Sequence, residues 1–241
     1  AGKTMLDLLT QEKINLAGIT TMKNQSTGQA YVTVDDAGEN QIMIHGGANM
    51  AFTPADVRMH RDIIEASDFV VAQFESAVDS TVEAFKIAQN AGVKTILNPA
   101  PAMEKVPAEL LAVTDMIVPN ETETETLTGI AITDEASMMK ASAALHALGI
   151  SAVIITIGSK GAFYDIDGRH GVIPAFKVEA VDTTSAGDTF IGAMSSVLDK
   201  DFSNLEDAIR YGNRASSIAV QRFGAQPSIP YKNEITAAEE R

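Results

Sequence analysis

Hydrophobic and polar positions along this chain follow two rhythms. Near the start, Ala30, Val32 and Val34 alternate with Tyr31, Thr33 and Asp35, and Gln41 to Ile44 gives a second apolar run. Asp36-Ala37-Gly38-Glu39-Asn40 between them has turn chemistry. A period of two around such a turn predicts a β-hairpin over Gly28 to His45. Gly46-Gly47-Ala48-Asn49 follows and reads either as a hinge or as a plain turn. Before the hairpin, Met5, Leu8 and Leu9 predict a short helix over Thr4 to Gln11, and Asn15 to Thr20 reads as a strand.

From Thr53 onward the rhythm changes. Thr53-Pro54-Ala55-Asp56 is a helix start, with a capping side chain and Pro at the first helical position. Short apolar runs at Phe69 to Gln73, Lys94 to Leu97, Met116 to Val118 and Val153 to Ile157 read as buried strands. Between them, Val78, Val82 and Phe85, then Val106, Leu110 and Leu111, then Met138, Leu145 and Leu148 recur at helical spacing. Strands alternating with helices predict a parallel sheet covered on both faces. Ala162 to Tyr164 and Val172 to Val181 read as a later hairpin region. Phe190, Met194, Val197 and Leu198 mark a helix after Gly187, and Ala208, Tyr211, Ala215 and Ala219 mark another with a small-residue face. The methionines at helical spacing read as core filler, His146 as a helix-surface residue, and Thr236 to Arg241 as a fraying end. No repeat or low-complexity linker interrupts the chain.

Composition narrows the function. The 241 residues suit one domain with a small appendage, and a 45% hydrophobic content supports a sizeable core. The formal charge of −14 argues against nucleic acid or an anionic membrane as partner, because both require a positive surface. It leaves room for an anionic nucleotide at a local donor site. The absence of cysteine excludes disulfides and thiolate metal sites and suits a reducing, cytoplasmic location. No apolar run is long enough to span a bilayer as a helix. The four histidines, His45, His60, His146 and His170, are scattered without metal spacing.

Ligands of open α/β sheets bind beyond the carboxyl ends of the strands. Here those ends carry Glu75, Asn98, Asn120 with Glu123, Gly158 and Asp182. The richest stretch is Asp182-Thr183-Thr184-Ser185-Ala186-Gly187-Asp188-Thr189-Phe190. Small residues at the start of a helix leave backbone N–H groups and the positive dipole end open to an anion. Asp188 beside that donor site reads either as a general base or as an N-terminal cap. Asn120 and Glu123, three apart, suit a hydrated Mg²⁺ or a capping arrangement. Gly158-Ser159-Lys160-Gly161 offers N–H donors and a cation, without the spacing of a Walker loop, and reads either as a phosphate cradle or as an ordinary turn.

Taken together, these stretches resemble the ribokinase-like (pfkB-type) carbohydrate kinases. The Asp182 to Phe190 segment is similar to that family's second signature. Asn98-Pro99-Ala100-Pro101, Pro119-Asn120-Glu121-Thr122-Glu123 and Thr156-Ile157-Gly158-Ser159-Lys160-Gly161 agree in order, and Arg222-Phe223-Gly224-Ala225-Gln226 with Ser228 resembles the ribose-phosphorylating members. The resemblance implies a three-layer α/β/α sheet with a small β lid. Part of the lid would lie at 20–48, and 1–19 with 49–241 would form the nucleotide- and substrate-binding core. The alternative for the hairpin is an ordinary edge hairpin.

The resemblance also implies ATP-dependent phosphorylation of D-ribose at the 5-hydroxyl by in-line transfer. Asp188 would be the base, and the anion hole would be formed by Ser185, Ala186, Gly187 and Asp188. Nucleotide contacts would come from Asn120, Thr156, Gly158, Ser159, Lys160, Gly161, Gly187 and Asn213, and sugar contacts from Glu75 and Asp188. Mg²⁺ would sit near Glu123. A monovalent cation, K⁺, would be held at Asp182, Thr184, Ala219, Arg222, Gly224 and Ser228. Ribose and ATP are the implied small-molecule partners, with a homodimer formed through the lid. The family pattern opens with a strand and a Gly-Gly-Lys-Gly-type sugar-gripping loop, and roughly sixty to seventy residues of it have no counterpart before Ala1. The rival readings are a related sugar or nucleoside kinase and an inactive truncated fragment, which would be marginally stable or prone to aggregate.

Overall fold

A computed structural model describes residues 1–34 and 40–239. The chain runs α1 (Gly2–Gln11), β1 (Gln29–Val34), β2 (Asn40–His45), α2 (Pro54–Met59), α3 (Arg61–Glu65), β3 (Phe69–Ala72), α4 (Val78–Ala91), β4 (Lys94–Leu97), α5 (Ala108–Leu111) and β5 (Met116–Ile117). It continues through α6 (Glu121–Thr128), α7 (Glu135–His146), β6 (Ala152–Thr156), β7 (Ala162–Ile166), β8 (Arg169–Ile173), α8 (Ala186–Val197), α9 (Leu205–Ala219) and α10 (Lys232–Glu239).

β3 to β8 form one six-stranded sheet in sequence order. β3, β4, β5 and β6 pair in parallel, whereas β6, β7 and β8 pair antiparallel. The four strands expected to run parallel do so, and the expected later hairpin region contains the antiparallel β7–β8 pair. The last three form a meander, because the Gly158–Lys160 turn and the Asp167-Gly168 turn are too short for a crossover, which needs a dozen or more residues.

Alternate strand residues feed two separate cores. Ile96, Met116, Val118, Ile154 and Tyr164 pack against Phe190, Met194 and Ile209 of α8 and α9. Leu97, Ile117, Val153, Ile155 and Phe163 pack against Phe85 of α4, Leu110 of α5 and Leu145 of α7. The period of two within each strand thus sorts neighbouring residues to opposite faces, giving three layers, α/β/α. Each large side chain so buried stabilises the fold by about 1.5–3 kcal/mol.

Several local expectations need correction. Asn15 to Thr20 is a turn, not a strand: the Asn15 side chain accepts from the Ala17 N–H, and the Leu16 carbonyl accepts from Ile19. The strand expected over Val172 to Val181 is β8, which ends at Ile173; Pro174 cannot donate to a ladder. His146 is not a plain surface residue. Its Nδ1 lies 2.7 Å from the Ile150 carbonyl and its Nε2 3.4 Å from Asp165, with the side chain half-buried. Met116, Met138 and Met194 fill the core, but Met5 and Met59 are exposed. The expected fraying end is helical through Glu239; Glu240 and Arg241 lie outside the described residues.

β1 and β2 pair antiparallel as a separate two-stranded sheet, with Tyr31 opposite Met43 and Ala30 opposite Ile44. The expected turn at Asp36 to Glu39 lies outside the described residues. Tyr31, Met43 and Ile44 are all exposed. Gly46-Gly47 is a packed turn: at Gly47, with φ +51°, a Cβ would meet the Ser26 carbonyl oxygen at 2.3 Å.

Candidate active site

The parallel strands all end at one edge, and a cleft of about 200 Å³ opens there. Gln73, Glu75, Asn98, Asn120, Glu123, Thr156, Gly187 and Asp188 line it, with Ile191 one turn into α8. Parallel pairing at an isolated bridge between Asn120 and Thr156 keeps the last two ends level. Asn98 braces the edge, its side-chain amide donating to the Val118 carbonyl at 2.8 Å. The cleft thus collects residues spaced more than a hundred positions apart. A larger groove of about 430 Å³ lies on the other side of Asp188 between Thr189, Gly192, Tyr211 and Ile235. Its walls are mainly apolar and it gathers no comparable amide–acid set.

At the start of α6, Asn120 and Glu123 form a reciprocal cap. The Asn120 side chain accepts from the Glu123 N–H at 2.8 Å. The Glu123 carboxylate accepts from the Asn120 N–H at 2.8 Å and from its side-chain amide at 2.9 Å. Of the two readings of this pair, the geometry displays the capping box. Glu123 is buried, and desolvation raises its carboxyl above the ordinary value against the opposing hydrogen bond from Asn120.

The start of α8 is built differently. Ser185 sits at the cap position with φ +60° and makes no side-chain capping bond. A left-handed conformation at a non-glycine residue is unfavourable by roughly 1–2 kcal/mol, so the surrounding fold must hold it. The Ala186 N–H turns back to the Thr183 carbonyl at 3.2 Å, which removes one donor from the expected set of four. The N–H groups of Gly187 and Asp188 meet no acceptor among the described residues. The exposed Asp188 carboxylate likewise makes no hydrogen bond among them. Two open donors and an unengaged acid therefore face the cleft together.

Upstream, Asp182 ties this loop to the next one. Its carboxylate accepts from the Thr184 N–H and the Gly224 N–H, each at 2.9 Å. Hydrogen bonds from the Thr184 side chain, the Gly224 N–H and the Thr184 N–H hold the Asp182 carboxyl below its ordinary value. The Ala219 carbonyl accepts from the Arg222 N–H, and the buried Ser228 hydroxyl donates to the Ala225 carbonyl at 2.7 Å. The structure thus brings Asp182, Thr184 and Gly224 into direct contact and places Ala219, Arg222 and Ser228 on the same connected turn. The Arg222 guanidinium is itself committed to Glu234 at 2.5 Å.

Gly158, Ser159 and Lys160 form an exposed 3₁₀ turn directly after β6. Gly161 closes it with φ +114°, where a Cβ would lie 2.1 Å from the Ile173 carbonyl oxygen. Asn213 is buried, and its side-chain amide donates to the Ile173 carbonyl at 3.0 Å and the Pro174 carbonyl at 3.3 Å. An amide on a helix interior reads the same in sequence whether it braces backbone or touches ligand. Gln73 and Ile191 were not anticipated; their positions beside Glu75 and one turn after Gly187 were the available signals.

The family model for pfkB family carbohydrate kinases matches residues 1–232. The chain belongs to the pfkB family of carbohydrate kinases. This pfkB chain is 50% identical to ribokinase of Staphylococcus aureus over 209 residues, covering 87% of this chain and 68% of that protein. It is 48% identical over 233 residues to a bifunctional ribokinase/ribose-5-phosphate isomerase A of Fructilactobacillus sanfranciscensis, covering 97% of this chain but only 43% of that one. Among solved structures, Arabidopsis thaliana ribokinase complexed with ribose and ATP superposes with a TM-score of 0.91 at 31% identity, covering 98% of this chain and 77% of the other. The α/β fold of this pfkB chain is therefore shared with ribokinase structures. No helix among the described residues is long and apolar enough to cross a membrane.

Proposed function

We propose that the protein transfers the γ-phosphoryl group of ATP to the 5-hydroxyl of D-ribose. One observation carries the reading: the open N–H groups of Gly187 and Asp188 stand beside an unengaged Asp188 carboxylate, in the cleft that Glu75 also lines. A sugar hydroxyl placed at Asp188 gives its proton to that carboxylate as its oxygen attacks the γ-phosphorus. The bond from phosphorus to the bridging oxygen breaks in line, and ADP leaves. The Gly187 and Asp188 N–H groups, with the Ser185 backbone beside them, hold charge developing on the phosphoryl oxygens. Glu75, exposed at the cleft wall, accepts from another sugar hydroxyl. The Thr156 to Gly161 turn receives the nucleotide's phosphates and ribose, with Lys160 as the cation. The ribokinase relatives and the ribose- and ATP-bound Arabidopsis structure support this choice of substrates.

Hydrated Mg²⁺ takes one or two carboxylates plus substrate phosphates. Both Glu123 oxygens already accept hydrogen bonds, so this acid fits an outer contact through water. When bound, Mg²⁺ neutralises charge on the transferring phosphates. Asp182 with the carbonyl-rich turns at Thr184, Ala219, Arg222, Gly224 and Ser228 fits a hard monovalent cation, K⁺, which would stiffen the loop under the anion hole. The β1–β2 hairpin would close over the sugar and pair with a second copy, since a lone two-stranded sheet with Tyr31, Met43 and Ile44 exposed is marginal by itself. The lack of cysteine supports a cytoplasmic setting.

The test is ADP release on a panel of ribose, 2-deoxyribose, fructose and adenosine, with and without K⁺. The reading expects release that needs ribose and rises with K⁺. Preference for another acceptor would reassign the substrate, and no release on any acceptor would overturn the activity.

A further inference from the structure

We propose that Ser216 is a positioning residue that strengthens the anion hole from behind. Ser216 lies on α9, which packs against α8 through Phe190, Met194, Leu205 and Ile209. Its hydroxyl donates to the Ala186 carbonyl at 2.5 Å, across thirty positions of sequence. That carbonyl and the Gly187 N–H belong to one planar peptide unit. A proton donated to the carbonyl oxygen withdraws electron density through the amide, so the N–H at its other end becomes a stronger donor. The Gly187 N–H is one of the two donors that open on the cleft.

The chain of groups therefore runs from the Ser216 hydroxyl to the Ala186 carbonyl, through the amide to the Gly187 N–H, and on to the phosphoryl oxygen. Strengthening of this kind grows with the charge on the acceptor, so it acts most on the charge-rich transition state. The same bond also fixes the first peptide of α8, where Ser185 is held in an unfavourable conformation without a capping bond of its own. The half-buried setting of Ser216 keeps bulk water from replacing the donor.

This inference rests on the anion-hole reading above, and its test separates the two. Ser216→Ala, Ser216→Thr and the wild type are compared for kcat, for ATP binding, and for binding of ADP with aluminium fluoride as a mimic of the transferring phosphoryl group. Loss of one such bond lowers kcat about 3–10-fold. ATP binding is expected to change less than twofold, the mimic to weaken in step with kcat, and Ser216→Thr to restore both. A wild-type kcat in Ser216→Ala, equal weakening of ATP and mimic, or failure of Ser216→Thr to rescue would each overturn the role. Should Ser216→Ala not fold, Ser216→Cys, which keeps the volume with a weaker donor, must show the same loss. Gly187→Val is the control for the underlying reading. If it turns over normally the anion-hole account itself fails, whereas an inactive Gly187→Val beside a normal Ser216→Ala removes only the part played by Ser216.

Discussion

α6 and α8 begin at the same edge of the same sheet and treat their first turns in opposite ways. At α6, the Asn120 and Glu123 side chains close on each other's backbone, and a buried carboxylate already answers the positive end of the helix. At α8, Ser185 makes no capping bond, and two N–H groups and an acid are left facing the cleft. A protein that wanted only stability would cap both ends, since a capping side chain is worth about 1 kcal/mol. On the proposed reading, the bare end of α8 gives up local stability for a donor site, and the closed end of α6 walls the same cleft.

The sharpest way to break that contrast is to obstruct the bare end without disturbing the fold. A Cβ at Gly187 would meet nothing within 4 Å, so the side chain of Gly187→Val starts in open space beside the donor site. Turnover is expected to fall roughly 10²–10³-fold, the scale of losing one donor from an anion hole. Thermal melting should move little. A Gly187→Val protein with normal turnover would mean that no anion sits there.

A smaller effect is expected at the closed end. Asn120→Ala removes the acceptor of the Glu123 N–H and the side-chain amide that donates to the Glu123 carboxylate, while the backbone N–H at 120 still donates to it, so urea unfolding should show a loss of about 0.5–2 kcal/mol. Turnover should drop far less than in Gly187→Val. If Asn120→Ala left stability untouched and abolished turnover, α6 would be the functional end and the contrast would be reversed.

The smallest effects are in pH dependence, and they should have opposite signs. Burial raises the Glu123 carboxyl, so its contribution to stability is complete below the unfolded value near 4.5 and is lost as pH rises through the raised value. Hydrogen bonds lower the Asp182 carboxyl, so its contribution is present above the unfolded value near 3.8 and is lost as pH falls through the lowered one. Urea midpoints followed across about pH 3 to 7 should lose the first slope in Glu123→Gln and the second in Asp182→Asn. Slopes of the same sign in both variants would show that the two acids sit in like surroundings.

The sequence made the layers legible and the bonding illegible. Apolar runs such as Ala152 to Thr156 and the helical spacing of Phe190 and Met194 follow from burial, which composition records directly. The residues at the strand ends were legible too, because Glu75 and Asn120 each follow an apolar run, and Asp188 was legible at a helix start after a run of small residues. What sequence could not separate was two uses of one residue type. Asn120 with Glu123 and Ser185 with Asp188 are both small-polar and acid pairs three apart at helix starts, and only the hydrogen bonds tell a closed cap from an open one. Asn213 and Ser216 show the same limit on α9, one braced on the β8 carbonyls and the other on Ala186. The β7–β8 meander was blurred because Val172 to Val181 carries strand-like residues beyond the proline that ends the ladder.

The most direct test of the account is turnover of Asp188→Asn with its ATP affinity measured on the same sample. The amide keeps the shape and the open N–H groups but cannot take the sugar's proton. The account predicts nucleotide binding close to wild type and ribose-dependent ADP release lower by about 10²–10⁴-fold. Near-normal release would contradict it, because the acid at the open end of α8 would then have no part in the chemistry.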